Sequence, residues 1–334
     1  MSLLSPSSHT PAPPGTSPSR GTGRGTRVRI GRPKRRGNGR PAGRRAGAAR
    51  EQFTAWLFLV PTLIVFGLFA WWPIVRSLLL GFQRTNLVDP AVWVGLDNFR
   101  ALFDDPLLGT AVGNTLLFVG LGIVIGFPAP LVIAAVVSTV RRGAGIYRFL
   151  VYLPVVIPPV VAILLWKWFY DPGSGLFNSA LGTVGLGPFS WLESPDTAML
   201  SLVLEATWAG MGGAVLIYLA AMAGIPAELY EAAEVDGAGI WRRIVHVMLP
   251  QLRPVIGLLL LVQLIGTIQV FTEPYIFTGG GPQNSTLTVL LLIFRYAFQD
   301  GEYGQAAALS FLMVLALAVL SAVYLRVTRS WSTS

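Results

Sequence analysis

Six long apolar runs, separated by short polar segments, occupy the chain beyond residue 50. They fall at about 54–81, 110–139, 146–169, 197–224, 254–278 and 304–327. Each approaches or exceeds the ~20 residues that carry a helix across a bilayer core. No alternation of apolar and polar residues over ~10-residue strands repeats, so a membrane barrel is excluded. The pattern predicts an all-α polytopic membrane protein with six transmembrane helices. A further apolar stretch, 287–299, is too short to span and is expected to lie at the interface or to re-enter. Pro73, Pro128, Pro130, Pro154, Pro158 and Pro159 fall inside the runs. Each removes a helical hydrogen bond. Either they kink helices around a lumen that flexes, or they are simply tolerated by neighbouring helices.

Charge adds sidedness. Only 12% of residues are charged against 53% hydrophobic, too little charge to cover a soluble domain of this size. The formal net charge of +9 is misleading, because residues 1–50 hold twelve of the 25 Lys and Arg and no acid. This Arg-, Gly- and Pro-rich segment is expected to be a disordered tail. It lacks the apolar core of a cleavable signal. It reads either as an arginine patch for anionic partners or as an extension that reinforces orientation. Without interleaved stacking aromatics, no nucleic acid is expected as a partner. With the tail in the cytoplasm, Arg141, Arg142, Arg148, Arg242, Arg243, Arg253, Arg326 and Arg329 also fall inside, as the positive-inside rule requires. Asp89, Asp97, Asp104, Asp105, Asp171, Glu193, Asp196, Asp300 and Glu302 fall outside. Both termini are therefore expected to be cytoplasmic. Residues 51–334 form the membrane domain.

Composition also removes chemistries. There is no cysteine, and His9 and His246 are the only histidines, so neither thiolate nor histidine clusters can hold a metal. Lys34 and Lys167 are the only lysines, and neither lies in a GxxxxGK[ST] phosphate loop. No catalytic constellation is visible. The chain is not expected to be an enzyme or to hydrolyse a nucleotide. Transport would draw on a separate ATPase or on an ion gradient.

The most informative segment is the charged island at 226–250. Pro226 suits a first helical turn, and 227–236 is rich in Ala and Glu, both strong helix formers. Gly237 and Gly239 then break the run. Ile240, Ile244, Val247 and Met248 line one helical face, opposite Arg242, Arg243 and His246. Pro250 and Pro254 are expected to end this second short helix. Two short helices on a glycine hinge, held at the inner membrane face, are predicted.

Glu231-Ala232-Ala233, three residues, Gly237, and then Leu249-Pro250 resemble the EAA loop of inner-membrane permeases of binding-protein-dependent ABC importers. Val247 stands where that family usually has Ile. The resemblance implies the type I importer permease fold and a coupling helix that docks in a cleft of a cytosolic ATPase dimer. Glu231 would face a basic group there. Ala232 and Ala233 would allow close packing, Gly237 would form the bend, and Leu249 and Pro250 would close the second helix. The chain itself would bind no cofactor; ATP and Mg would sit on the ATPase. Gly95–Phe99, Asn114-Thr115, Leu153-Pro154, Pro158-Pro159, Trp166, Tyr170, Gly175, Asn178, Thr278–Pro282 with Thr286, and Gly304, Ala307, Ala308 and Ser310 resemble the sugar-importer branch. That branch contains the maltose and glycerol-3-phosphate permeases. This chain resembles the MalF/UgpA kind, whose partners are a second permease of the MalG/UgpE kind and an extracytoplasmic solute-binding protein. The implied location is the bacterial cytoplasmic membrane, and the implied cargo is a sugar, polyol or sugar phosphate.

Polar residues at membrane depth face a cavity or a neighbour. Gln263, Thr267, Gln269 and Glu273 on span five, with Trp208 and Glu205 on span four, are the candidates for the substrate path. Helix–helix hydrogen bonding is the competing role for each. An ion-coupled transporter is the alternative function. It would want intramembrane carboxylates and often inverted repeats; Glu205 and Glu273 are few, and no inverted repeat is visible. A non-sugar importer is a further alternative, as is a membrane enzyme or scaffold.

Overall fold

The computed structural model describes residues 43–140 and 142–328. The chain separates into two units, 1–62 and 63–334. In the first, the described residues are helical from Gly43 onward. Ala46, Ala48, Ala49 and the interspersed arginines favour helix, and 43–50 of the expected tail are helical, continuous with the first span. Residues 1–42 of that expected tail lie outside the described residues.

Five helices are long and apolar enough to cross a membrane: Gln52–Leu80, Pro106–Thr139, Pro195–Ala223, Ile240–Ile268 and Tyr303–Thr328. They are the first, second, fourth, fifth and sixth spans. The expected third span at 146–169 is two helices, Ala144–Val156 and Pro159–Phe169, bent by 99°. The cause is local. Ile157 and Pro158 each precede a proline, whose Cδ disfavours the helical region for the residue before it. Both are extended, with ψ of 128° and 133°.

Three other prolines are passed without a break. Five-residue π turns at Gly67–Trp71, Gly122–Gly126 and Ile244–Met248 stand just before Pro73, Pro128 and Pro250. A proline cannot bond the carbonyl four residues back, and its ring collides with it. In each case that carbonyl, of Phe69, Val124 or His246, belongs to the widened turn. One extra residue per turn relieves the collision, and the helix continues. Pro250 and Pro254, expected from sequence to end a short helix, instead stand within one that continues to Ile268. The fifth span begins inside the island at Ile240 and stops at Ile268, rather than running over 254–278. Pro274–Thr278 is a separate π turn beyond a break.

The fourth span is the centre of the bundle. At its island end, Val215, Tyr218 and Met222 pack with Ala134 and Val137 of the second span and Met248 and Leu252 of the fifth. Nearer its start, Met199, Leu202 and Val203 pack with Phe118, Ile163 and Phe277. A third cluster lies at the end away from the island. There the helix Val289–Phe298 buries Leu291, Leu292 and Tyr296 against Phe99, Leu102 and Leu309. The short apolar stretch is thus a packed helix with a buried face. Phe69, Leu116, Val124 and Val319 remain exposed, as residues facing lipid do.

The loops at the end away from the island are tied down by buried amides and hydroxyls. Asn98 donates to Gly81 O and Gln83 O, both at 3.0 Å. Asn114 donates to Asn284 O at 2.6 Å and to Leu287 O at 3.0 Å. Thr115 Oγ1 accepts from Val289 N at 3.0 Å. Arg295 donates to Gly279 O at 2.8 Å and to Asn284 Oδ1 at 3.2 Å. Asp171 closes its turn by accepting from Ser174 N and Gly173 N, which holds its carboxyl below the usual carboxylate range.

Candidate coupling loop and transport cavity

The island folds as a helix, a bend and a second helix. The first helix, Ala227–Val235, starts after Pro226 and stops at Asp236. Gly237 sits at φ 75°, a left-handed conformation that glycine adopts at no steric cost. Ala238 N then donates back to Ala233 O at 2.8 Å, and Gly237 N to Glu234 O at 3.0 Å. These bonds satisfy the carbonyls left over at the helix end. Glu231 and Ala232 are exposed, Ala233 is half-buried, and Gly237 is exposed. Around them Val235, Ile240 and Trp241 stand 89%, 67% and 78% exposed. An apolar patch of this kind, rimmed by charge, marks an interaction surface. Arg243 Nη1 reaches Glu234 Oε2 at 3.3 Å and ties the two halves of the loop together.

Leu249 and Pro250 occupy a different place from the one expected. They do not close the second helix but open the long stretch Leu249–Ile268 that continues it. The loop's second helix and the fifth span are one rod. Ile240 to Gln263 spans ~35 Å along it at ~1.5 Å per residue, with a single π turn as its irregularity.

That rod reaches a cavity of about 420 Å³ enclosed by the second, fourth and fifth spans, within the range of small-ligand sites. Gln263 and Thr267 line it. Gln263 Nε2 donates to Gly122 O at 2.8 Å, while Thr267 Oγ1 bonds Gln263 O at 2.9 Å. Three further residues were not anticipated from sequence. Thr207 lines the cavity and bonds Val203 O at 2.7 Å. Tyr218 places a buried hydroxyl there with no protein partner. Gly126 brings its backbone so close that a Cβ would lie 3.1 Å from Thr207 Oγ1 and 3.3 Å from Gln263 Nε2. The spacing of Gly122 and Gly126, one helical turn apart, was the available signal for close backbone approach. No Arg, Lys, His, Asp or Glu lines this cavity.

The remaining candidates lie elsewhere. Gln269 is exposed and bonds Ile265 O of its own helix at 3.0 Å. Trp208 packs on Trp166 with ring centroids 5.5 Å apart. Glu205 is 1% exposed, and its Oε2 has no partner. Glu273 stands at the start of the helical turn beyond the fifth span, within electrostatic reach of Glu205. Trp166 Nε1 is likewise buried without a partner. Glu205, Glu273 and Trp208 thus belong to an aromatic region between the fourth span and the Pro159–Phe169 helix, apart from the cavity that holds Gln263 and Thr267. Among the described residues no group of acidic or imidazole side chains could hold a metal ion.

A helix-bend-helix loop rigidly joined to a cavity-lining span defines the transmembrane permease of a type I ABC importer. The chain belongs to the family of binding-protein-dependent transport system inner membrane components, whose model matches residues 122–332. It is 34% identical over 272 residues to the lactose transport system permease protein LacF of Rhizobium radiobacter, covering 80% of this chain and 91% of that protein. It is 34% identical over 278 residues to the sn-glycerol-3-phosphate transport system permease protein UgpA of Yersinia pseudotuberculosis, covering 81% and 92%. Among solved structures it is similar to a chain of a bacterial ABC transporter involved in the import of the acidic polysaccharide alginate. The TM-score is 0.77 at 27% identity, covering 86% of this chain and 99% of that one.

Proposed function

We propose that this chain forms one half of the translocation path of an ATP-driven importer of a sugar or sugar-derived solute. The observation that carries the reading is the continuous rod from the exposed loop to the cavity wall. A push delivered at Glu231–Trp241 travels along this rod to Gln263 and Thr267, which sit against Gly122. Coupling of this kind needs an element with two arrangements that both sites bias, and the π turn at Ile244–Met248 is the compliant point.

In this reading the ATPase is a separate cytosolic dimer that holds ATP and Mg, and Glu231 faces a cation in its cleft. A second permease closes the other half of the path. A solute-binding protein engages the loops at the opposite end, where Gly279, Gly281, Pro282 and the Asp171 turn are exposed or half-buried. The island and both termini lie in the cytoplasm, the arrangement that the positive-inside rule favours. The cavity wall supplied here offers an amide, hydroxyls and aromatic faces and no ionised group. That is the chemistry for hydroxyls and C–H faces of a neutral saccharide rather than for a phosphate or uronate.

The test is uptake into vesicles by the complex co-expressed with candidate partner subunits. ATP-dependent uptake of a neutral oligosaccharide, exceeding that of glycerol 3-phosphate by about ten-fold or more, is expected; such a ratio is ~1.4 kcal/mol of selectivity. Uptake that follows a proton or sodium gradient without ATP would overturn the importer reading in favour of ion coupling. ATP-driven uptake that prefers the phosphate ester would overturn only the neutral-cargo part.

A further inference from the structure

A second cavity, of about 500 Å³, lies behind the coupling loop. Its walls come from two sources. Ser138 and Thr139 at the end of the second span, Arg148 near the start of the third, and Leu219 and Met222 near the end of the fourth supply the body side. Tyr230 and Arg243 supply the loop side. The floor is apolar, since Leu219, Met222 and Met248 belong to the buried cluster there. Ala135, Ala223, Ile240 and Ile244 add further apolar lining, the polar groups are Ser138, Thr139, Arg148, Tyr230 and Arg243, and no carboxylate lines the cavity. Arg243 is half-occupied by Glu234 at 3.3 Å. Arg148 is exposed and makes no ion pair or hydrogen bond among the described residues. The Ser138 and Thr139 hydroxyls already donate within their own helix, to Ala135 O and Val136 O, both at 2.7 Å. The donors free to meet an anion are therefore Arg148, the remaining edge of Arg243 and the Tyr230 phenol.

We propose that this cavity holds an anionic phospholipid, with its phosphate between Arg148 and Arg243 and an acyl chain against Leu219 and Met222. Three properties point to an amphiphile rather than to a small soluble anion. The cavity lies where the second and fourth spans end and the third begins, the level at which a spanning helix meets the headgroups. One wall is cationic while the floor is apolar. Basic pockets between transmembrane helices suit acidic headgroups, and guanidinium forks match phosphate geometry. The consequence is mechanical. Arg148 belongs to the bundle and Arg243 to the coupling rod, so a shared phosphate ties the moving loop to the membrane body. The inference needs only the membrane-spanning fold and is independent of which solute crosses.

The chain has no cysteine, which makes a local test possible and separates this site from the arginine-rich segment 1–50. Ser138→Cys in the full-length chain places one thiol in the cavity wall. Its modification by a small maleimide is followed in nanodiscs or micelles containing phosphatidylglycerol, phosphatidylcholine, or detergent with inorganic phosphate. Phosphatidylglycerol is expected to slow modification at least about five-fold relative to phosphatidylcholine, since one arginine near a headgroup contributes roughly that factor. Adding Arg148→Gln is expected to abolish most of that protection, while Arg148→Lys retains it. Arg148 is exposed and in no ion pair among the described residues, so neither change breaks one, and equal reactivity in phosphatidylcholine checks that the fold is kept. Equal rates in the two lipids, or full protection in the Arg148→Gln variant, would overturn the proposal. Protection by inorganic phosphate alone would identify a soluble-anion site and also overturn the lipid assignment.

Discussion

Replacing Gly126 by Leu is expected to abolish transport while folded protein still accumulates in the membrane. Gly126 lies in the π turn that carries the second span past Pro128, and it faces the cavity. A Cβ there would sit 3.1 Å from Thr207 Oγ1 and 3.3 Å from Gln263 Nε2. Both neighbours are side chains that can rotate away, so the backbone need not move. An overpacked methylene costs ~1–3 kcal/mol, and losing the Gln263–Gly122 hydrogen bond costs ~1 kcal/mol net. A bundle with three buried clusters absorbs that. The proposed path does not, because the leucine branch enters the cavity assigned to it and displaces the amide that lines that cavity. Uptake by the assembled complex measures the first half of the prediction, and yield and monodispersity in detergent measure the second. Gly126→Ala should retain part of the uptake. Wild-type uptake in the leucine variant would place the path elsewhere.

Replacing Gly212 by Leu is expected to do the opposite and prevent folding. A Cβ at Gly212 would lie 2.7 Å from Val151 O, 2.9 Å from Val155 Cγ2 and 3.0 Å from Tyr152 Cα. Two of these three are backbone atoms of a packed helix and cannot rotate aside. Small residues at such crossings let membrane helices approach, and close packing is much of what holds them together. Forcing the fourth span away from Ala144–Val156 would open the centre of the bundle at a cost above the ~1–3 kcal/mol of ordinary overpacking. A methyl group on the neighbouring Gly213 would meet nothing within 4 Å, so Gly213→Ala should fold normally. The two variants are compared by yield and thermal stability in the same detergent. A stable Gly212→Leu protein would contradict the close crossing.

The fold class was legible because length and hydropathy suffice for spans in a bilayer, where backbone groups must be satisfied within each helix. The loop was legible because Glu231, Ala232, Ala233 and Gly237 combine helix formers with a residue free to take positive φ. What failed were the inferences from proline. Pro250 and Pro254 looked like terminators, yet the π turn upstream relieves the collision at Pro250, and Pro254 stands inside the α-helix that continues to Ile268. At Pro158-Pro159, where Ile157 and Pro158 are both forced extended, the chain does break. A sequence shows each proline but not whether the preceding turn can widen. The polar residues at membrane depth divided for a related reason. Gln263 and Thr267, four apart, reach one cavity, whereas Gln269 lies beyond the helix end and turns back on Ile265. Which of them meet a neighbour depends on where the span stops, and that boundary was misplaced. Asn98 and Asn114 illustrate the remainder. They resemble family positions, and their amides are spent on carbonyls of distant loops, which no local pattern discloses.

In the proposed importer the exposed loop is the point where another protein pushes. The most direct test is co-purification of a cytosolic ATPase with the full-length chain, comparing wild type with Glu231→Lys. Glu231 is exposed and in no ion pair among the described residues, so the reversal leaves the permease fold intact. Expected are a stable complex and transport-linked ATP hydrolysis for the wild type. Charge reversal should remove one attractive pair and add one repulsion, worth several kcal/mol where the contact is desolvated, enough to release the ATPase or uncouple hydrolysis from uptake. Equal recovery of the ATPase with both chains, and equal coupling, would contradict the assignment of this loop.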